Sequence, residues 1–339
     1  MNLRSCLLAT TLAALLFHAG AQAATTCVST SAQLAAAITA AQTNNQDDAI
    51  YLEVGTYLLS AELQYFAPPS ETFKLAIIGG LAPGCTSGYA SSGESVLDGQ
   101  NLVRPLTISA HGEVDLGRLT FQHGKPTQYF GGALNVGTSS GDIYLFASSF
   151  LANQTAAGAG GGALYVSSAP GGDIYVWSNL FLANSASGGS AIYLNGTHNS
   201  YITGNTIIAN TLINHAGLGA LDIAGNGYTY LSNNILWNNE AYDVYDQVGM
   251  AHYANNDIGV KGGFAPLSES NDLSVDPGFS GFLSVRPGPA SPLINAGLDT
   301  PPGGIGGCCD AAGATRLQGK HVDIGAYESD VLFRDAFGG

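Results

Sequence analysis

Three short apolar phrases recur in a fixed order along the middle of this chain. Gly131-Gly132-Ala133-Leu134 returns as Gly161-Gly162-Ala163-Leu164, Gly189-Ser190-Ala191-Ile192 and Leu218-Gly219-Ala220-Leu221. Asp142-Ile143-Tyr144-Leu145 returns as Asp173-Ile174-Tyr175-Val176, then as Tyr201-Ile202 and Tyr230-Leu231. Phe150-Leu151-Ala152-Asn153 returns as Phe181-Leu182-Ala183-Asn184, Ile207-Ile208-Ala209-Asn210 and Ile235-Leu236-Trp237-Asn238, so that its final Asn recurs after 31, 26 and 28 residues. Within the phrases apolar and polar positions alternate with the period of a strand. Three short strands in a repeat of this length make one coil of a solenoid. The predicted fold class is all-β, a right-handed parallel β-helix.

One coil cannot bury its inward side chains alone, so coils stack roughly 4.8 Å apart through parallel strand pairing. Gly and Asn supply the turns, Asn by adopting the left-handed conformation and bonding through its amide. Two columns of Asn are expected to form structural ladders: Asn153, Asn184, Asn210, Asn238, and Asn179, Asn205, Asn233, Asn255. Weaker echoes of the rhythm at Ile50 to Leu58, Ser95 to Gly99 and Leu106 to Gly124 extend the coils towards the N-terminus. Ser29 to Gln42 is Ala-rich, with Leu34 and Ile38 one helical turn apart, and predicts a helix that caps the open end of the stack. The division expected is 1–23 signal peptide, 24–45 capping helix region, 46–260 β-helix, 261–329 a C-terminal region completing or capping it, and 330–339 a tail.

The N-terminus sets the compartment. Arg4, an apolar stretch from Leu7 to Phe17 broken by Thr10 and Thr11, and Ala21-Gln22-Ala23 make a secretory signal with its cleavage site. The stretch is too short for a membrane span, and nothing later in the chain reads as transmembrane. The protein is expected to be exported, to the extracellular space, the outer cell surface or the periplasm, as a monomer. Cys27 and Cys85 are expected to be bridged there, tying the cap to the first coils. The adjacent Cys308 and Cys309 read either as a vicinal bridge or as a redox-labile thiol pair. Charged residues are only 10% of the chain, with 25 acidic against 10 basic and a net charge of −15. Such a surface is a poor partner for nucleic acid or anionic lipid. It leaves neutral glycans, cations and basic proteins.

The paired Gly-Gly-Ala-Leu and Phe-x-x-Asn phrases over 131–238 resemble the repeats of polymorphic outer-membrane proteins and related β-helix adhesins. No C-terminal transporter barrel follows them, so self-secretion of that kind is not implied. The C-terminal third resembles the bacterial β-helix proteins with a choice-of-anchor domain of the Q type. The matching residues are Asp276-Pro277-Gly278-Phe279, Ser291 to Gly297, Asp310, Arg316 and Val322 to Glu328. That resemblance implies cell-surface or extracellular residence and carries no assigned reaction. The tail around Phe333 to Phe337 is similar to short Phe-x-Asp-Gly-Phe endings, with Ala336 in place of the Gly.

Because many pectate-lyase-like solenoids cleave polysaccharides, their signatures matter. Arg104-Pro105 and Arg286-Pro287 do not complete an Arg-x-Pro-x-x-Arg phrase, the only Asp-Asp (Asp47-Asp48) lies at the cap, and there is no Gly-His-Gly. One constellation remains. Alignment of the coils places Glu113, Asp142 and Asp173 in a column about 5 Å apart. There they could serve as solvated turn residues, as Ca²⁺ ligands, or as an acid–base pair at the spacing of a retaining glycosidase. Tyr144, Tyr175, Tyr201 and Tyr230 form an outer stripe suited to sugar rings or to stabilising the sheet. His111, His123, His198, His215 and His252 lack metal-ligand spacing, and Asp243, Asp246 and Asp257 border an irregular stretch as weaker cation candidates. No cofactor is required by this set; Ca²⁺ is the one ion it would suit. The function expected is non-enzymatic binding of extracellular polysaccharide or another cell-surface component. The alternatives are a polysaccharide lyase or glycoside hydrolase, and a structural envelope component.

Overall fold

Strands of two to seven residues build each coil in threes, and several end at a residue in the left-handed region, as at Arg118, Ala147 and Ser178. The structure, a computed structural model, describes residues 23–86, 93–128, 130–215, 218–281, 284–305 and 309–329. Residues 1–22, where a signal peptide is expected, Cys308, the side chain of His215 and residues 330–339, expected as a tail, lie outside them. The coils build a right-handed parallel β-helix with three long parallel sheets. The first sheet has ten strands, from Ala24–Val28 to Ser268–Ser270. The second has eight, from Gly55–Leu58 to Asp257–Ile258, and the third has eight, from Leu63–Phe66 to Lys261–Gly263. The chain passes from third to first to second sheet in every coil.

Inward positions fill one continuous core. On the second sheet Phe121, Phe150 and Phe181 stack with ring centroids 4.9 and 4.7 Å apart, all fully buried. Ile207, Leu236 and Ile258 continue that column. At the N-terminal end a helix, Ser31–Ala41, buries Leu34, Ile38 and Ala41 against the first coil. Its N-cap is Thr30, whose hydroxyl accepts the N–H of Gln33, while Ser29, one residue earlier, holds the Gln33 side chain. Ahead of it Ala24–Val28 pairs with Asp48–Glu53 as the edge strand of the first sheet, an element the Ala-rich pattern did not announce. Cys27 in that strand is disulfide-bonded to Cys85, with their Cα atoms 5.8 Å apart.

The Asn ladders exist, with a correction of one residue at three positions. Register pairs Ile207 with Leu236, so the fourth copy of the phrase is Leu236-Trp237-Asn238-Asn239. The ladder residue is Asn239, not Asn238. Likewise Asn234 and Asn256 join the other ladder in place of Asn233 and Asn255. In each doublet the first Asn takes the left-handed turn conformation, with φ of 60° at Asn233, 53° at Asn238 and 54° at Asn255. Ser178, Ala183 and Ala209 do the same in earlier coils. The ladders Asn153–Asn184–Asn210–Asn239 and Asn179–Asn205–Asn234–Asn256 each end on a carboxylate, Asp243 and Asp272 respectively.

The C-terminal end of the coil stack is closed by charge. Lys261 stands in register with the core residue Val244, and Glu269 with Tyr253. The Lys261 ammonium lies 2.5 Å from Glu269 and 3.3 Å from Asp272, over the Tyr253 ring. Inward positions that carry charge keep a free sheet end from recruiting another. Replacing both residues, Lys261→Leu with Glu269→Leu, is expected to produce end-to-end dimers or larger species in sedimentation velocity. A double variant sedimenting like the unaltered chain would remove that role from the lid.

Residues beyond Gly288 fold back along the outside of the stack as a strap over the second sheet and its corner with the first. The Asn233 side chain clamps Leu298 through both its N–H and its carbonyl, at 2.7 and 2.9 Å, and Asn255 donates to the carbonyl of Ala296 at 2.9 Å. Leu293 and Ile324 of the strap bury Ile235, an outward residue of the second sheet, in a small second core.

Candidate functional site

The strap leaves the outer face of the first sheet largely open, and most of the candidate chemistry lies there. Register places Asp115, Tyr144, Tyr175, Tyr201, Tyr230 and His252 in one outward column. The four tyrosine rings stack nearly parallel, with centroids 4.6, 4.9 and 5.3 Å apart, and His252 extends the stack at 5.0 Å. Parallel rings at this spacing cover one another's faces, so the stripe presents ring edges and hydroxyls outwards. Burial, followed by the nearby Asp142, pushes Tyr144 well above the usual phenol value. Burial with Asp173 and Asp142 takes Tyr175 to about 12. Strap residue Gly303 packs against the Tyr201 ring.

The ring that breaks this pattern is Trp177, in the neighbouring outward column. Its indole stands at 61° to Tyr175, 4.9 Å away, and at 55° to Tyr144. Beside it Phe146 lies over Gly117, where a side chain would overlap the ring. Trp177 and Phe146 were not among the sequence candidates because the repeat is irregular at their position, which reads Gly117, Phe146, Trp177, Thr203.

Glu113, Asp142 and Asp173 do share one column, each immediately before its strand. Each has its own partners. Asp142 Oδ1 accepts the N–H of Asp173 at 2.8 Å, and Oδ2 accepts the Tyr144 hydroxyl at 3.1 Å. Asp173 accepts the N–H of Asn199 at 3.0 Å, the Tyr175 hydroxyl at 3.4 Å, and His198 Nδ1. Glu113 is held by Lys74, whose ammonium is 2.7 Å from it and 2.5 Å from Asp115. Burial raises the Asp115 carboxyl against the opposing pull of Lys74. Burial depresses Lys74, but its bonds to Asp115 and Glu113 outweigh that, so it too titrates above its ordinary value. Charge repulsion along the column is thus met by Lys74 at one end, His198 at the other and backbone N–H groups between. Lys74 and His198 come from the coils flanking the column and meet Glu113 and Asp173, 39 and 25 residues away in sequence, only through stacking.

The remaining candidates are dispersed. His111 contacts Ser139, His123 contacts Asp98 and His252 contacts Ser268, on separate coils. Asp243 terminates a ladder, Asp246 accepts the turn N–H groups of Val248 and Gly249, and Asp257 accepts that of Val275. Burial raises Asp243, and it takes Asp257 to about 6. Among the described residues the one set of three ligand groups within 4.8 Å is Cys27, Glu53 and Cys85, whose two sulfurs are bonded to each other. Cys309 is disulfide-bonded. No helix among the described residues is long and apolar enough to cross a membrane.

Fold and surface define the class: a disulfide-containing right-handed parallel β-helix with an aromatic, carboxylate-edged outer face and a strap over an adjoining one. The disulfide fits an exported protein. No family model, curated protein or solved structure matches the chain.

Proposed function

We propose that this protein is a non-enzymatic, extracellular or cell-surface glycan-binding β-helix, and that the open outer face of the first sheet is its contact surface. The observation that carries this reading is the engagement of every oxygen of Asp142 and Asp173 by a backbone N–H, a tyrosine hydroxyl or His198. Hydrolysis needs one carboxyl free to donate a proton and another free to attack or activate water. These two are committed to shaping the turns. What the face offers instead is the Trp177 indole and Phe146 beside a row of hydroxyls and carboxylates. Apolar ring surface next to fixed acceptors suits the C–H faces and hydroxyls of a saccharide. The resemblance of the C-terminal region to choice-of-anchor proteins supports surface residence.

The test is affinity electrophoresis and pull-down on neutral and acidic polysaccharides, with and without Ca²⁺, alongside an assay for released oligosaccharides. Retention that weakens at least tenfold in Trp177→Ala and persists in Asp173→Asn is expected, with no products. Products that disappear in Asp142→Asn or Asp173→Asn would replace the binder with a glycoside hydrolase or lyase.

A further inference from the structure

We infer, resting on that glycan-binding reading, that the ligand is a straight, neutral chain of equatorially 1,4-linked hexoses lying along the solenoid axis, one sugar to a coil. The first sheet carries an apolar row in that direction. Ile78, Gly117, Phe146 and Trp177 pair in register on four successive coils. Ile78, Phe146 and Trp177 are outward and half-buried. Both rings lean towards the N-terminal coils. Phe146 covers Gly117, where a Cβ would come within 2.3 Å of the ring. The Trp177 indole lies 4.9 Å from Tyr175 of its own coil and 5.7 Å from Tyr144 of the preceding one. The missing side chain at Gly117 is thereby replaced, and apolar surface is carried across all four coils.

The row is straight as well as apolar. In the column beside it the tyrosine rings follow one another at 4.6, 4.9 and 5.3 Å, with their planes only 6, 18 and 12° apart. The pairings from Ile78 to Trp177 run without a register shift. Neighbouring strands of an ordinary sheet rotate by about 20–25°, which would carry a straight ligand off the row within a few strands.

A fixed period selects the linkage. An equatorially 1,4-linked hexose chain is an extended ribbon whose residue length is close to the coil spacing of about 4.8 Å. It shows C–H surface on both sides, so each sugar can lay an apolar face on the row however the ribbon alternates. An axially linked chain curls and leaves a straight row after one or two sugars. Charge selects against uronates. Asp142 and Asp173 flank the tyrosines on the side away from the row, and the chain as a whole carries −15. That field opposes a polyanion. On the coil after Trp177 the strap closes the path, where Gly303 packs on the Tyr201 ring.

Isothermal titration of the full mature chain would use β-1,4-linked gluco- and manno-oligosaccharides of two to six units, maltohexaose and hexagalacturonate. In at least one β-1,4-linked series affinity should rise at least tenfold from disaccharide to tetrasaccharide, and less than twofold beyond it. Maltohexaose and hexagalacturonate should bind at least tenfold more weakly than that tetrasaccharide. Ile78→Thr keeps the β-branched shape and lies three coils from Trp177. It should weaken the tetrasaccharide at least threefold, with the thermal midpoint unchanged and the disaccharide, which Phe146 and Trp177 hold by themselves, unaffected. Equal affinity for maltohexaose or hexagalacturonate, a plateau at the disaccharide, or a tetrasaccharide indifferent to Ile78→Thr would overturn the axial chain and leave a glycan-binding face of another geometry. Absence of binding by every oligosaccharide would overturn it too, and loss of polysaccharide retention as well would remove the glycan reading with it.

Discussion

Asn184→Ala should lower the unfolding free energy by about 3–5 kcal/mol, whereas Asn238→Ala should change it by less than about 1 kcal/mol. The two residues belong to the same repeated phrase, and the difference rests on one residue of register. Asn184 is fully buried. Its carbonyl accepts both the backbone N–H and the side-chain amide of Asn153, at 2.9 and 3.0 Å, and its amide donates to Phe150 and Asn210, both at 3.0 Å. Alanine would take this partner from the Asn153 backbone N–H, from one N–H of the Asn153 amide and from the Phe150 carbonyl, all out of reach of water, while Asn210 keeps the backbone N–H of residue 184; each buried unsatisfied group costs about 1–3 kcal/mol before relaxation. Asn238 makes the left-handed turn that Ala152, Ala183 and Ala209 make in preceding coils, so alanine is already known to fit there. Urea denaturation followed by far-UV circular dichroism measures both. Equal losses would return Asn238 to the ladder and undo the register.

Arg316→Met is expected to cost about 3–5 kcal/mol, the scale for breaking a buried charge pair, and to loosen the strap before the coils. Arg316 is 1% exposed and sits among Asp310, Asp323 and Glu328, themselves 0, 2 and 4% exposed. Its guanidinium donates to the carbonyls of Gly325 and Asp323 at 2.8 and 3.2 Å and lies 3.4 Å from Glu328. It also packs over Gly204, where a Cβ would come within 2.9 Å of it. Removing the one cation leaves three acidic side chains in a dry site with no basic partner among them. Trypsin cleavage after Lys320 and hydrogen exchange across 288–329 should accelerate, with the Asn-ladder amides still protected. Simultaneous loss of ladder protection would make strap and coils one cooperative unit.

Glu328 of this cluster and two buried carboxyls on the coils give the protein a pH dependence. Burial, offset by Arg316 and reinforced by Asp323, takes Glu328 from 4.5 to about 8. Burial takes Asp222 and Asp257 from 3.8 to about 6. Above the unfolded values and below the folded ones, the native state keeps protons that the unfolded chain has lost. Stability from these groups is therefore fully present below about pH 4 and declines as pH rises through 6 and then 8. The thermal midpoint should fall from pH 5 to pH 9, and Glu328→Gln should flatten the upper part of that decline. A midpoint rising across this range would show that all three carboxylates fold ionised.

The choice-of-anchor-like residues acquire a physical account here. Asp310 binds the turn N–H groups of Ala312 and Ala314 and that of Glu328, and Asp323 binds those of Asn295 and Ser329. Their ordered spacing was legible in the chain as a motif. That they surround a single buried arginine was not, and neither was their docking on the outside of the solenoid, which joins residues up to 120 positions apart, as between Thr206 and Ala326.

What the sequence by itself determined is whatever repeats with the coil. The three-strand period, the inward phenylalanine column, the outward tyrosines, the acidic column and the existence of Asn ladders all follow from an alternation copied four times. So does the Leu34–Ile38 face of the capping helix, since local periodicity and burial are one physical fact. Doublets defeated that logic: at Asn233-Asn234, Asn238-Asn239 and Asn255-Asn256 either residue satisfies the spacing, and only strand pairing chose between them. Tertiary structure alone decided what meets across coils and across the strap. It set Lys74 and His198 against the acidic column, turned Trp177 out of the tyrosine stack, and closed the end with Lys261 and Glu269. Those outcomes depend on side chains of neighbouring coils, or of the strap, sharing a place, and no repeat within the chain encodes them.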